Sequence, residues 1–221
     1  MKAATCTFAT IEELQRAHRA CTRCVTSGYL QSAHPVFSGH AGQRILLVGQ
    51  APGPVEVDIR RPFAGRAGRQ LMRWLTRAGF GGDEDVRARV YMTAMTTCFP
   101  GRRPGRGGDR RPTGREVALC APWLDAVLEL LQPRLILVIG SLALERFLPR
   151  RRLDEVVGEA FTRAGDVVHG TPRDAPALLP LPHPSGQSRW LNDEARSALL
   201  DAALRRLEEL VKWAESVEYH P

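Results

Sequence analysis

The stretch from Arg44 to Leu75 constrains this chain more than any other. Ile45–Val48 is a short aliphatic run of the kind that is buried as a strand. It breaks at Gly49, where the turn Gly49-Gln50-Ala51-Pro52-Gly53 begins. Phe63 follows as a lone aromatic in the run Arg61–Gly68. From Arg66 the apolar spacing becomes helical, through Leu71, Met72, Leu75 and Ala78. A loop that leaves the carboxyl end of a strand and enters a helix is where open α/β sheets hold ligands. Glycines there let the backbone, with its amide donors, come close to a bound oxygen. Spacing alone fits an ordinary strand–loop–helix connection equally well, so the decision falls to the rest of the chain.

Further strands are expected at Val90–Thr96, Leu135–Ile139 and Ala177–Leu181, with a weak hairpin formed by Val156–Phe161 and Val167–His169. Helices are expected over Thr10–Cys21, from Thr113 to before Pro133, over Gly140–Leu148 and over Asn192–Glu215. Thr10 with Glu13, and Thr113 with Glu116, have the spacing of capping boxes. Gly81–Asp85 reads as a turn. This alternation predicts a three-layer α/β sandwich in one domain over residues 1–221. The segment 100–112 contains four glycines, three prolines and five arginines, a composition expected to form a mobile basic loop.

The net charge of +7 favours an anionic partner, nucleic acid first. Nearly all of the positive charge is arginine; lysine occurs only at Lys2 and Lys212. No apolar run has the length of a membrane span, and the start lacks a secretory signal, so a cytoplasmic enzyme is expected. Cys21 and Cys24 form a C-x2-C pair, which Cys98 and Cys120 would complete as a four-thiolate set for zinc or a [4Fe–4S] cluster. Cys98 and Cys120 also suit buried core thiols, and Cys6 is left over.

Gly49–Gly53, Arg61–Gly68, the four cysteines and His183-Pro184-Ser185, in that order, resemble the uracil-DNA glycosylase superfamily. The resemblance is to its iron–sulfur branch, between families four and five. It implies a four-stranded, mainly parallel central sheet between helices. It also implies a [4Fe–4S] cluster on Cys21, Cys24, Cys98 and Cys120 in preference to zinc. The first 43 residues would then be an N-terminal helix and metal-ligand segment. The expected activity is monofunctional: a deaminated base is flipped from DNA and its N-glycosidic bond is hydrolysed.

By the same resemblance, His183 and a backbone amide of Gln50 or Ala51 stabilise the departing base, and Phe63 stacks on it. Gly49, Gln50, Ala51, Phe63, Ala94 and His183 line the base site, and Arg66, Ser185, Gln187, Ser188 and Arg189 contact DNA. Gln187, Arg189 or Trp190 would fill the space the base leaves. Glu56 matches a family-four glutamate expected to orient water, with Asp58 as fallback. Two positions depart from family four: Gln50 replaces its usual glutamate and Ala94 its uracil-reading asparagine. Ala51 stands where the best-known branch of the superfamily carries an aspartate. Loss of an amide partner predicts weaker discrimination, with hypoxanthine and xanthine joining uracil as candidate bases. A monomer acting on DNA is expected, with no membrane partner. The alternative is a non-catalytic nucleic-acid-binding protein with a four-cysteine metal knot and a decayed site.

Overall fold

The computed structural model describes residues 8–105, 107–172, 176–185, 190 and 193–216. Its strands are β1 (Ile45–Gly49), β2 (Val90–Ala94), β3 (Leu135–Ile139) and β4 (Ala177–Leu181). They pair in the order β2-β1-β3-β4, and every pairing is parallel. Each strand is buried along its whole length, as parallel strands covered on both faces must be. Pro180 is tolerated in β4 because that strand lies at the sheet edge.

The helices are α1 (Ile11–Arg19), α2 (Arg23–Thr26), α3 (Pro54–Ile59), α4 (Arg66–Arg77), α5 (Asp83–Arg89), α6 (Gly114–Leu131), α7 (Gly140–Phe147), α8 (Leu153–Val156) and α9 (Glu194–Glu215). Strand alternation sorts the core into two layers. Ile45, Leu47, Met92, Leu137 and Leu179 pack with Leu71, Leu75, Leu204 and Leu207 of α4 and α9. Leu46, Val48, Tyr91, Ile136 and Val138 pack with Leu14 of α1, Leu124 and Val127 of α6, and Leu144 of α7. The result is the expected helix–sheet–helix sandwich. Thr113 forms the full capping box with Glu116, whereas at Thr10 only half of it forms: Thr10 accepts from the Glu13 amide, but the Glu13 carboxylate accepts from the Ala9 amide. Among the described residues no helix is long and apolar enough to cross a membrane.

Four local expectations need correction. The segment after β1 is not all loop, because α3 forms inside it. The turn expected at Gly81–Asp85 is the start of α5, whose first turn carries Asp83, Glu84 and Asp85 where the helix dipole favours acids. β2 ends at Ala94, where the next amides turn to β1: Met95 donates to the Gly49 carbonyl and Thr96 to that of Gln50. The hairpin expected from Val156 reduces to single antiparallel bridges from Phe161 to Val167 and Leu178, because Val156 closes α8.

The start of α4 is fitted tightly against the turn before it. A Cβ on Gly68 would lie 1.8 Å from the Phe63 carbonyl oxygen, a backbone atom with no rotamer to escape into. Gly68→Ala is therefore expected to lose about 1–3 kcal/mol or more of stability. Urea denaturation reads this directly, and an unchanged midpoint would mean that the junction yields freely.

Candidate active site and thiol cavity

All four strands end on the same edge of the sheet, and a cleft of about 750 Å³ opens there. That size lies within the range of small-molecule sites. Gly49 from the end of β1, Ala94 from β2, Ile139 from β3 and His183 just past β4 all line it. Gln50, Ala51, Phe63, Arg66 and Ser185 line it too. The strand ends thus bring together the predicted base-site residues in one concavity. The Gln50 side chain makes no hydrogen bond among the described residues and is available to a ligand.

His183 is held in a defined state. The Ser185 amide donates to its Nδ1 at 3.2 Å, which leaves the ring proton on Nε2 as the free donor. Burial lowers its pKa below the usual histidine value, so the ring is neutral at neutral pH. Gly140 backs the ring. A Cβ there would lie 3.3 Å from His183 Cβ and 3.4 Å from Cδ2, and the glycine's φ of +79° adds backbone strain to any replacement. Phe63 has a φ of 55°, a left-handed conformation that an aromatic residue rarely adopts. Its ring crosses the Gly49 backbone so closely that a Cβ on Gly49 would fall 2.8 Å from Phe63 Cζ.

Glu56 holds this turn in place. Although it belongs to the short helix α3, its side chain is only 9% exposed. One carboxylate oxygen accepts from the Gly53 amide at 3.0 Å and the other from the Gly65 amide at 2.7 Å. Both glycines are required by contact, since a Cβ on either would lie 2.9 Å from a Glu56 oxygen. Asp58 is exposed and lies outside the cleft lining. Asp109 lies inside it, with Oδ2 3.3 Å from where a Gly53 Cβ would be, and no hydrogen bond or ion pair engages its carboxylate among the described residues.

Asp109 is carried by the arginine-rich loop, parts of whose backbone hydrogen-bond to one another. Arg103 N–H donates to the Gly108 carbonyl and Arg110 N–H to that of Gly101. Arg110 also grips the buried Glu116 with both guanidinium nitrogens, at 2.7 and 2.6 Å.

Cys21, Cys24, Cys98 and Cys120 line a second, smaller cavity between α2, the end of β2 and α6. Trp123 Nε1 donates to Cys21 Sγ at 3.2 Å, and Thr97 Oγ1 lies 3.7 Å from Cys120 Sγ. Thr96 Oγ1, buried in the same wall, has no hydrogen-bond partner among the described residues. Burial, reinforced by the other thiols, pushes Cys24 up to about 11 and Cys98 up to about 12, so these two thiols favour the protonated form. Among the described residues no three His, Cys, Asp or Glu side chains converge closely enough to hold a single metal ion. His18 anchors α1 to this region, stacked 4.5 Å from both Phe37 and Trp123, with Nε2 2.8 Å from Thr97 Oγ1.

The profile of the Uracil DNA glycosylase superfamily matches residues 36–208. The chain belongs to that superfamily. A Type-4 uracil-DNA glycosylase of Pyrobaculum aerophilum is 30% identical over 158 residues, 70% of this chain and 71% of that protein. Another, from Thermotoga maritima, is 29% identical over 187 residues, 83% of this chain and 85% of its own. A Type-5 uracil-DNA glycosylase of Pyrobaculum aerophilum is 32% identical over 115 residues, 48% of each chain.

Within this superfamily member, Gln187, Ser188 and Arg189 lie outside the described residues. Trp190 is not available to fill a DNA stack. It is buried against α9, and its Nε1 donates to Asp154 at 2.6 Å. Sequence reasoning missed Asp109, although it is the single acid in the 100–112 run. It also missed Gly140, which nothing but its place after a strand distinguishes. The double acceptance by Glu56 makes Glu56→Gln informative, because the amide presents a donor where one backbone N–H needs an acceptor. The variant is expected to lose roughly 1–3 kcal/mol. Its Gly53 or Gly65 amide should exchange hydrogen faster; unchanged exchange at both would remove the tether.

Proposed function

We propose that this protein is a monofunctional DNA glycosylase that removes uracil from DNA by hydrolysing its N-glycosidic bond. The observation that carries this reading is the meeting of His183, Gln50 and Phe63 in one cleft, with the imidazole neutral and its Nε2 proton free. Cleavage moves the bonding electron pair onto the base and leaves positive charge on the sugar. The Nε2–H of His183 and an amide of the Gln50-Ala51 turn stabilise the base oxygen, and Phe63 stacks on the ring. Water adds to the sugar carbon, and the proton it loses neutralises the base anion, leaving free uracil and an abasic sugar. Glu56 has an amide on each oxygen and acts as the tether of the site. Asp109 is the unengaged carboxylate at the cleft, and we assign it the ordering of water and the balancing of the sugar cation. The relatives' names, Type-4 and Type-5 uracil-DNA glycosylase, agree with this chemistry.

Ala94 lines the cleft with a methyl group and no hydrogen-bonding edge. A wall that makes no polar contact rejects a non-cognate base weakly, which supports hypoxanthine and xanthine as secondary substrates. A single-turnover panel of uracil, hypoxanthine and xanthine oligonucleotides tests this. His183→Ala is expected to slow uracil release by ~10²–10³ while DNA binding persists. The wild-type rate should not fall through histidine protonation until the pH is below 6.5, because the folded pKa is lowered from that value. Wild-type protein that releases none of the three bases overturns the reading.

The thiol cavity fits a [4Fe–4S] cluster. Four sulfur donors line it, Trp123 supplies an N–H to one sulfur, and four thiolates are the ligand set such a cluster takes. Cys21, Cys24, Cys98 and Cys120 would hold it, and it would supply a covalent tie between α2, the turn after β2 and α6. Protein purified without air should be brown and contain iron and acid-labile sulfide in equal amounts. A colourless zinc protein would refute this assignment.

A further inference from the structure

Helix α3 has two unlike faces. Glu56 points inward and is fixed to the backbone on both sides of the cleft turn. On the outer side stand Val55 and Ile59, one helical turn apart and 46% and 56% exposed. With Val167 they are the only large apolar side chains so exposed among the described residues. Val55 itself lines the cleft, so the apolar pair starts at the cleft and runs outward along the helix. A tethered helix of six residues gives these side chains little freedom to fold away from water. Two branched aliphatics held rigidly in solvent at the mouth of a ligand site mark a contact surface.

The charges around this pair indicate what it meets. Arg66 and Arg103 line the cleft, and Arg60 directly follows Ile59; none of the three has an ion pair among the described residues. By contrast, the neighbouring Arg61 and Arg87 are neutralised by Asp83 and Glu84 on α5. Unneutralised cations at a cleft rim seek phosphate. The exposed carboxylate of Asp58 beside the apolar pair repels phosphate, so the pair faces bases while the arginines hold the backbone.

On the reading of the cleft given above, the geometry points to α3 as a wedge. Val55 and Ile59 press into the duplex beside the extruded nucleotide and cover the unstacked neighbouring base pair. Apolar side chains driven between base steps stabilise unstacked DNA in this way. Extrusion from a duplex needs that help, whereas a single strand has no pair to open.

The test is Ile59→Ser, an exposed position outside the cleft lining whose replacement leaves the core untouched. Single-turnover uracil release from duplex DNA should fall about fivefold, while release from the same strand without its complement stays within about twofold. In parallel, 2-aminopurine next to the lesion reports unstacking through its fluorescence on binding. The rise seen with wild type should be largely lost in the variant. Equal loss on both DNA forms, no loss on either, or a wild-type dimer that the variant abolishes would overturn the wedge. Wild-type protein that releases no base would defeat the glycosylase reading alone, because the fluorescence still tests the wedge.

Discussion

The carboxylate of Glu56 is the contact on which the cleft depends. A buried carboxylate costs several kcal/mol unless its oxygens are hydrogen-bonded, and here each oxygen takes a backbone N–H. Those amides belong to Gly53 and Gly65, on opposite sides of the cleft turn. The tether thus fixes the distance between the turn that carries Gln50 and the turn that carries Phe63. It also explains the glycines, because any side chain at either position would occupy the space of the carboxylate. The left-handed backbone at Phe63 is a strain that persists only where surrounding contacts over-determine it. Here the tether on one side and the Gly68 contact on the other do so.

The two cavities are not independent. The loop that starts after Cys98 and ends at α6 supplies Arg103, Asp109 and Arg110 to the cleft wall. Glu116, which receives Arg110, lines the thiol cavity and closes the capping box of the helix that carries Cys120. Glu116 is almost fully buried, so the Arg110 guanidinium is the charge that makes its burial tolerable. The hydrogen bonds from Arg110 hold the Glu116 carboxyl below its usual range, against the opposing effect of burial. One ion pair therefore serves as a wall of the cleft and as a strut of the thiol region.

The parts legible in the sequence were those fixed by local pattern. Parallel strands buried on both faces have to be unbroken aliphatic runs, so Ile45–Val48 and Leu135–Ile139 could be read directly. The capping residues Thr10 and Thr113 could be read because the box is a local motif. Helix α3 was hidden because six residues opened by a proline are too few to display a period. The end of β2 was hidden because two amides leave the strand direction to bond β1, a tertiary event. Glu56 was singled out as a candidate by its distance from Phe63, but its role as a tether depends on two glycines nine and three residues away from it meeting one side chain. Asp109 could not be found from spacing at all, since only the folded loop carries it back to Gly53.

The distribution of charge follows the same logic. Formal net charge alone does not identify a DNA-binding surface, because most of the arginines here could have been spent on surface ion pairs. The structure separates the two uses. Around α5 and α9, Arg77, Arg89 and Arg206 pair with Asp201, Asp85, Glu215 and Glu209, and these exposed pairs add little stability each. At the cleft, Arg66 and Arg103 lack acidic partners among the described residues. Cations left without ion-pair partners at the cleft set up a positive field at its mouth, opposed in part by the Asp109 carboxylate. On the proposed reading the rim would draw a phosphate chain, while the floor, made of Gly49, Ala94, Ile139 and a neutral imidazole, carries no charge to oppose an uncharged base.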